Sequence, residues 1–133
     1  MKNLLFLLCL FTSSLIFSQN EYDFKSLVDL IRDSKIIAQD DANTYLGTLS
    51  SEFNFESIFN EYSSYGSEFS SQSIWNEFAT FGNEFNAYSP FNKFSTMPPM
   101  LLKKGKIVGF LTTNKSIHNG VSPNLLKALK EEF

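Results

Sequence analysis

A chain of 133 residues, 43% hydrophobic and 19% charged, has the make-up of one small globular domain. Its net charge is −3, and the segment from Ile36 to Asn92 holds eight carboxylates (Asp40, Asp41, Glu52, Glu56, Glu61, Glu68, Glu77, Glu84) without a single Lys or Arg. Such a stretch repels phosphate backbones, which excludes nucleic-acid binding through it.

Residues 1–18 read as a signal peptide. Lys2 supplies the positive charge, Leu4 to Phe11 is an apolar run, and Ser18 is a small residue at a cleavage position, so the mature chain begins at Gln19. The expected location is therefore the periplasm or the outside of the cell. A membrane anchor needs about twenty continuous apolar residues. Thr12-Ser13-Ser14 interrupts the run, so no transmembrane helix is expected once the signal is gone, and Cys9 lacks the small residues that precede a lipidated cysteine. Cleavage removes Lys2 and Cys9 and leaves ten basic and fourteen acidic residues with no cysteine. Disulfides, thiol nucleophiles and cysteine metal sites are excluded together.

Tyr22 to Ser34 has the spacing of a short amphipathic helix, with Phe24, Leu27, Leu30 and Ile31 on one face and Asp23 near its start. Two hairpin patterns come next in kind, though they are far apart in the chain. In the first, Ile36-Ile37-Ala38 and Tyr45 to Ser51 flank an Asp40-Asp41-Ala42-Asn43 turn; in the second, Met100-Leu101-Leu102 and Ile107 to Thr113 flank Lys103-Lys104-Gly105-Lys106. Their opposite turn charges allow the two to lie side by side in one sheet. The chain ends on a predicted helix, with Ser122 as N-cap, Pro123 at its first position and Leu125, Leu126 and Leu129 on its apolar face.

Between the hairpins the aromatics concentrate: they make up 16% of the chain, and thirteen of the twenty-one lie from Phe53 to Phe94. They fall into a sixteen-residue repeat, SIFNEYSSYGSEFSSQ from Ser57, SIWNEFATFGNEFNAY from Ser73 and a decaying SPFNKFST from Ser89. Gly66 and Gly82 recur at one fixed place, and Asn60, Asn76 and Asn92 at another, which suits an internal hydrogen bond to a neighbouring turn. The Ser, Asn and Gly content favours turns with short helical pieces over one helix, and a solenoid of sixteen residues per coil is the second choice. Few aliphatic residues lie between Glu52 and Thr96, so most of the aromatics are expected to be buried.

These strings, bracketed by TYLGTLSS and by PP with KIVGFLTTN, resemble a family of small, mostly uncharacterised bacterial proteins and modules with tandem SIWN-aromatic-Gly-Ser repeats. The resemblance covers about Ile36 to Asn114. Ser63 and Ala79 stand where the pattern often has Gly, and Glu stands where it often has Pro or Lys. The resemblance implies an architecture and no activity.

Chemistry-bearing residues are few. His118 is the only histidine, and its bland reading is a loop residue before the last helix. Glu residues recur in every copy, as a structural ladder does and a unique catalytic pair does not. Calcium is conceivable on the Glu, Asn and Ser oxygens, but no D-x-D-x-D-G loop is present and it is not favoured; no metal ligands, cofactor or catalytic residues are assigned.

The expected fold is α+β: two β-hairpins forming a small sheet, flanking an aromatic, turn-rich sixteen-residue repeat, with short N- and C-terminal helices. Its segments are a signal peptide 1–18, an N-terminal helix 19–35, a repeat-containing β domain 36–115 and a C-terminal loop and helix 116–133. The expected function is that of an exported, non-enzymatic accessory or binding module for a glycan or envelope protein. The candidate ligand contacts are Trp75, Tyr62, Tyr65, Tyr88 and Asn76. The alternative is a cell-envelope hydrolase, or a subunit of one, using His118 or a Glu pair.

Overall fold

A computed structural model describes residues 23–133; the expected signal segment and its cleavage site lie outside the described residues. The chain divides into two compact units, one ending at Leu30 and the other running from Ile31 to Phe133. Residues 23–31 are helical (α1). Phe24 and Leu30, expected on the apolar face of α1, are exposed; Val28 and Ile31, one turn apart, are the buried positions.

In the second unit, five strands form a mixed sheet: β1 (Lys35–Ile37), β2 (Tyr45–Thr48), β3 (Met100–Lys103), β4 (Lys106–Leu111) and β5 (Gly120–Val121), in the order β2-β1-β3-β4-β5. With two helices the molecule is a small α+β protein. β1 pairs antiparallel with both β2 and β3, and β3 with β4; β5 joins β4 in parallel. The loop between β1 and β2 is tied by Asp40, whose carboxylate accepts from the Thr44 N–H at 2.8 Å and the Thr44 hydroxyl at 2.5 Å. Lys104 and Gly105, both at positive φ, turn β3 into β4 in two residues, the backbone twist that suits a tight antiparallel connection. β5 falls in the segment expected to be a loop. Two residues in parallel pairing carry no periodicity of their own, and tertiary contact alone makes this strand.

Helix α2 (Pro123–Ala128) starts where expected, with Ser122 Oγ accepting from the Leu125 N–H and Pro123 in its first turn. A 3-10 turn, Lys130–Glu132, follows it. The apolar core of this unit is aliphatic: Ile31, Ile36, Leu46, Leu49, Leu101, Leu111 and Leu126 are all fully buried.

From Ser51 to Ser95 the backbone is a train of β-turns with no assigned helix. Every third N–H donates to the carbonyl three residues earlier: Asn54 to Ser51, Ser57 to Asn54, Asn60 to Ser57, Ser63 to Asn60. At Gly66 the phase slips by one residue, Gly66 and Ser67 both donating to Ser63; it slips again at Gly82, where Gly82 and Asn83 both reach Ala79. Five triplets and one inserted glycine therefore span sixteen residues. The first residue of nearly every triplet is Ser or Asn, and its side-chain oxygen accepts from the N–H two residues on, as at Phe59 to Ser57, Tyr62 to Asn60, Trp75 to Ser73 and Phe78 to Asn76. This is why a stretch so poor in helix and strand formers is ordered: each Ser or Asn closes its own turn twice, through backbone and side chain.

The train is tied to the sheet at both ends. Thr48 of β2 pairs in parallel with Ser57, and Thr113, just past β4, donates to the Pro90 carbonyl at 2.8 Å. Its interior holds Ser57, Ser73 and Ser89 with Ile58, Ile74 and Pro90, all essentially fully buried. The expectation that most of the aromatics are buried is corrected here. Of the thirteen, only Phe59 is buried, and seven are exposed. Tight turns stack backbone against backbone and small hydroxyls, which leaves room inside for one aliphatic residue every sixteen and for few rings.

Candidate functional site

The third residue of a triplet is usually aromatic, and the residue before it decides where the ring goes. After Ile or Pro, the Phe59 ring is buried and the Trp75 and Phe91 rings are half-buried, with the C-terminal segment against Phe59 and Trp75. Phe133 packs on Phe59 at 5.3 Å between centroids, the Lys127 ammonium sits 4.6 Å from the Trp75 ring centre, and Trp75 and Phe91 meet at 5.8 Å. After Glu or Lys, the rings stand in water. Phe53, Phe69 and Phe85 are 84–86% exposed, and Tyr62, Phe78 and Phe94 82–95%. These six form two sets, each spaced sixteen residues apart.

Two grooves open between them. The first, of about 310 Å³, has Ile58 and Gly66 in its lining with Glu61, Tyr62, Glu68, Phe69 and Trp75. The second, of about 620 Å³, is lined by the residues sixteen further on, Ile74 and Gly82 with Glu77, Phe78, Glu84, Phe85 and Phe91. Lys127 borders both. A third depression, of about 550 Å³, joins Glu68 and Phe69 to Asn76, Glu77 and Phe78.

Of the residues singled out from sequence, Tyr62 is 95% exposed in the first groove. Trp75 borders all three depressions but is half-buried, its indole N–H donating to the Ile58 carbonyl at 2.6 Å. Asn76 reaches the depression, yet its amide is already used: Nδ2 donates to the Ser70 carbonyl at 3.1 Å and Oδ1 accepts from Phe78. The same bond recurs from Asn60 to Asn54 and from Asn92 to Asn86. Tyr65 is half-buried, edge-on to Tyr45 at 5.2 Å, and Tyr88 is half-buried; neither borders a groove described here. Desolvation, followed by the hydrogen bond that its hydroxyl donates to Glu56, pushes the Tyr45 phenol well above its usual value.

Six exposed rings were not singled out: Phe55, which follows Asn54, and the five that follow Glu or Lys, namely Phe53, Phe69, Phe78, Phe85 and Phe94. For those five the available signal was the Glu or Lys immediately before the ring, since a triplet's charged middle residue faces solvent and carries its neighbour with it. His118 lies exposed in the loop before β5. Glu61 and Glu68 share one groove and Glu77 and Glu84 the other, all four exposed. Among the described residues no three His, Cys, Asp or Glu converge as metal ligands would, and no helix is long and apolar enough to cross a membrane. Compared with protein-family models, with curated proteins and with solved structures, the chain finds no match.

Proposed function

We propose that the protein is an exported, non-enzymatic binding module of the periplasm or cell surface that holds its ligand on the exposed aromatic rings. The observation that carries this reading is the exposure of the six rings, 82–95%, at sixteen-residue intervals. Each ring left in water forgoes about 1.5–3 kcal/mol of burial. Six together forgo on the order of 10 kcal/mol, as much as the whole net stability of a typical domain. Extended apolar exposure on this scale marks interaction surfaces.

The sixteen-residue spacing of Ile58 and Ile74, of Gly66 and Gly82 and of the two grooves supports a short solenoid, one copy per coil, as the scaffold that displays the rings. Such an architecture agrees with the resemblance to the SIWN-repeat bacterial modules. The test replaces Tyr62, Phe69, Phe78 and Phe85 together by Ser and compares this variant with the natural chain on a panel of envelope glycans and envelope proteins. Saturable binding by the natural chain, lost in a variant of unchanged melting temperature, is the expected result. Absence of any saturable ligand across the panel would overturn the reading.

A further inference from the structure

We infer that the ligand of this surface is a basic, extended segment of a partner polypeptide, whose Lys or Arg side chains lie over the exposed rings with their charges against the flanking carboxylates. The inference rests on the binding-module reading and names its partner. Charge complementarity is the first support. No Lys or Arg occurs between Ile36 and Asn92, and Glu61, Glu68, Glu77 and Glu84 line the grooves with no ion-pair partner among the described residues. Ring faces carry the negative side of the aromatic quadrupole, so rings and carboxylates attract the same cation and repel anions.

The second support is the way the chain's own lysines are seated. Lys127 crosses from α2 to place its ammonium 4.6 Å from the centre of Trp75, at the border of both grooves. Lys130 lines the first groove with its ammonium 3.5 Å from Glu52. In the last copy, where Lys93 replaces the usual Glu, that lysine lies 5.8 Å from the centre of the Phe94 ring. Three polypeptide lysines thus show how a cation sits on this surface, and the outward faces of Tyr62, Phe69, Phe78 and Phe85 carry no such cation among the described residues. A lysine or arginine stem also covers a ring edge with its methylenes, which favours a basic polypeptide over a small amine.

The test uses the full mature chain and three labelled probes: a peptide of alternating lysine and serine, its glutamate counterpart, and a neutral N-acetylglucosamine oligomer. The lysine peptide is expected to bind saturably and to weaken about tenfold or more as salt rises from low to high concentration, because exposed charges are screened. At about 0.5–1 kcal/mol for each exposed cation–ring contact, the variant with Tyr62, Phe69, Phe78 and Phe85 all changed to Ser is expected to bind it about 30-fold more weakly or worse. Glu61→Gln with Glu77→Gln is expected to weaken it further while leaving the melting temperature unchanged. Binding of the neutral oligomer in preference to the lysine peptide would overturn this inference and leave the binding-module reading standing. Equal binding of the lysine peptide by the ring-depleted variant would overturn it too, reducing the attraction to diffuse charge. Binding of none of the probes, with a ligand found in the envelope panel, would also overturn it.

Discussion

Gly66 and Gly82 carry the phase slip of the turn train, and a Cβ built on either would fall 1.9 Å from the carbonyl oxygen of Asn60 or Asn76. The obstacle is backbone and cannot rotate away. Gly66→Ala is therefore expected to cost at least the upper end of the roughly 1–3 kcal/mol typical of overpacking, read as a lowered midpoint in urea unfolding, with Gly82→Ala matching it. Asp40 belongs to the same scale. The hydrogen bond from the Thr44 hydroxyl, and then that from the Thr44 N–H, hold its carboxyl below the ordinary carboxylate value. A lowered pKa in the folded state stabilises the fold above the ordinary value of about 3.9, and that contribution disappears as pH falls through the lowered value. Asp40 is only half-buried, so solvent screening limits the effect to below about 1 kcal/mol. Asp40→Asn should accordingly lower the melting temperature slightly at pH 7, and the two melting temperatures should converge as the pH falls well below the ordinary carboxylate range.

Triplets, rather than helices or strands, are the elements of the middle third of this chain, and Ala79 is their internal comparison. At Ser63, sixteen residues earlier, the hydroxyl donates to the Asn60 carbonyl at 3.1 Å and accepts from Tyr65 and Gly66. Ala79 has no oxygen to offer at the matching place, so its turn closes through the backbone alone, with Gly82 and Asn83 donating to its carbonyl. Ala79→Ser should supply the missing bonds and raise stability by about 0.5–1.5 kcal/mol, visible as an increase in the calorimetric melting temperature. A decrease would mean that the half-buried site cannot take the hydroxyl. The α+β class, the turn-favouring Ser, Asn and Gly of the middle segment and the Ser122-Pro123 helix start were open to view in the sequence, because each is written in local residue chemistry. β5 was not legible, being defined by its neighbour β4. Nor was the exposed aromatic site, because hydrophobicity alone assigns a Phe after Ile and a Phe after Glu to the same core. The residue before the ring separates them once the triplet geometry is known, sending Phe59 inward after Ile58 and Phe69 out after Glu68.

On the scale of the whole molecule, stability and surface are divided between different residues of the same train of turns. Ile58 and Ile74 are fully sealed, together with Ser57 and Ser73, and the Trp75 indole bonded to the Ile58 carbonyl links residues seventeen apart in the chain. The six outward rings contribute little to this interior, since at least four-fifths of each is in water. If the aromatics were the core, truncating any one of them would cost about 3–5 kcal/mol, and losing six would abolish folding. The burial pattern requires the opposite. Replacing Phe53, Tyr62, Phe69, Phe78, Phe85 and Phe94 together by Ser should leave the far-UV spectrum unchanged and shift the melting temperature by only a few degrees. Solubility should rise, because an apolar surface has been removed. Ile58→Ala or Ile74→Ala alone should cost about 2–5 kcal/mol, through a cavity that the hydrogen-bonded turns on either side cannot close by collapsing. Urea unfolding of these variants side by side checks both halves of the division. A six-ring variant that unfolds, beside a stable Ile74→Ala, would return the aromatics to the core and remove the ground for a binding surface.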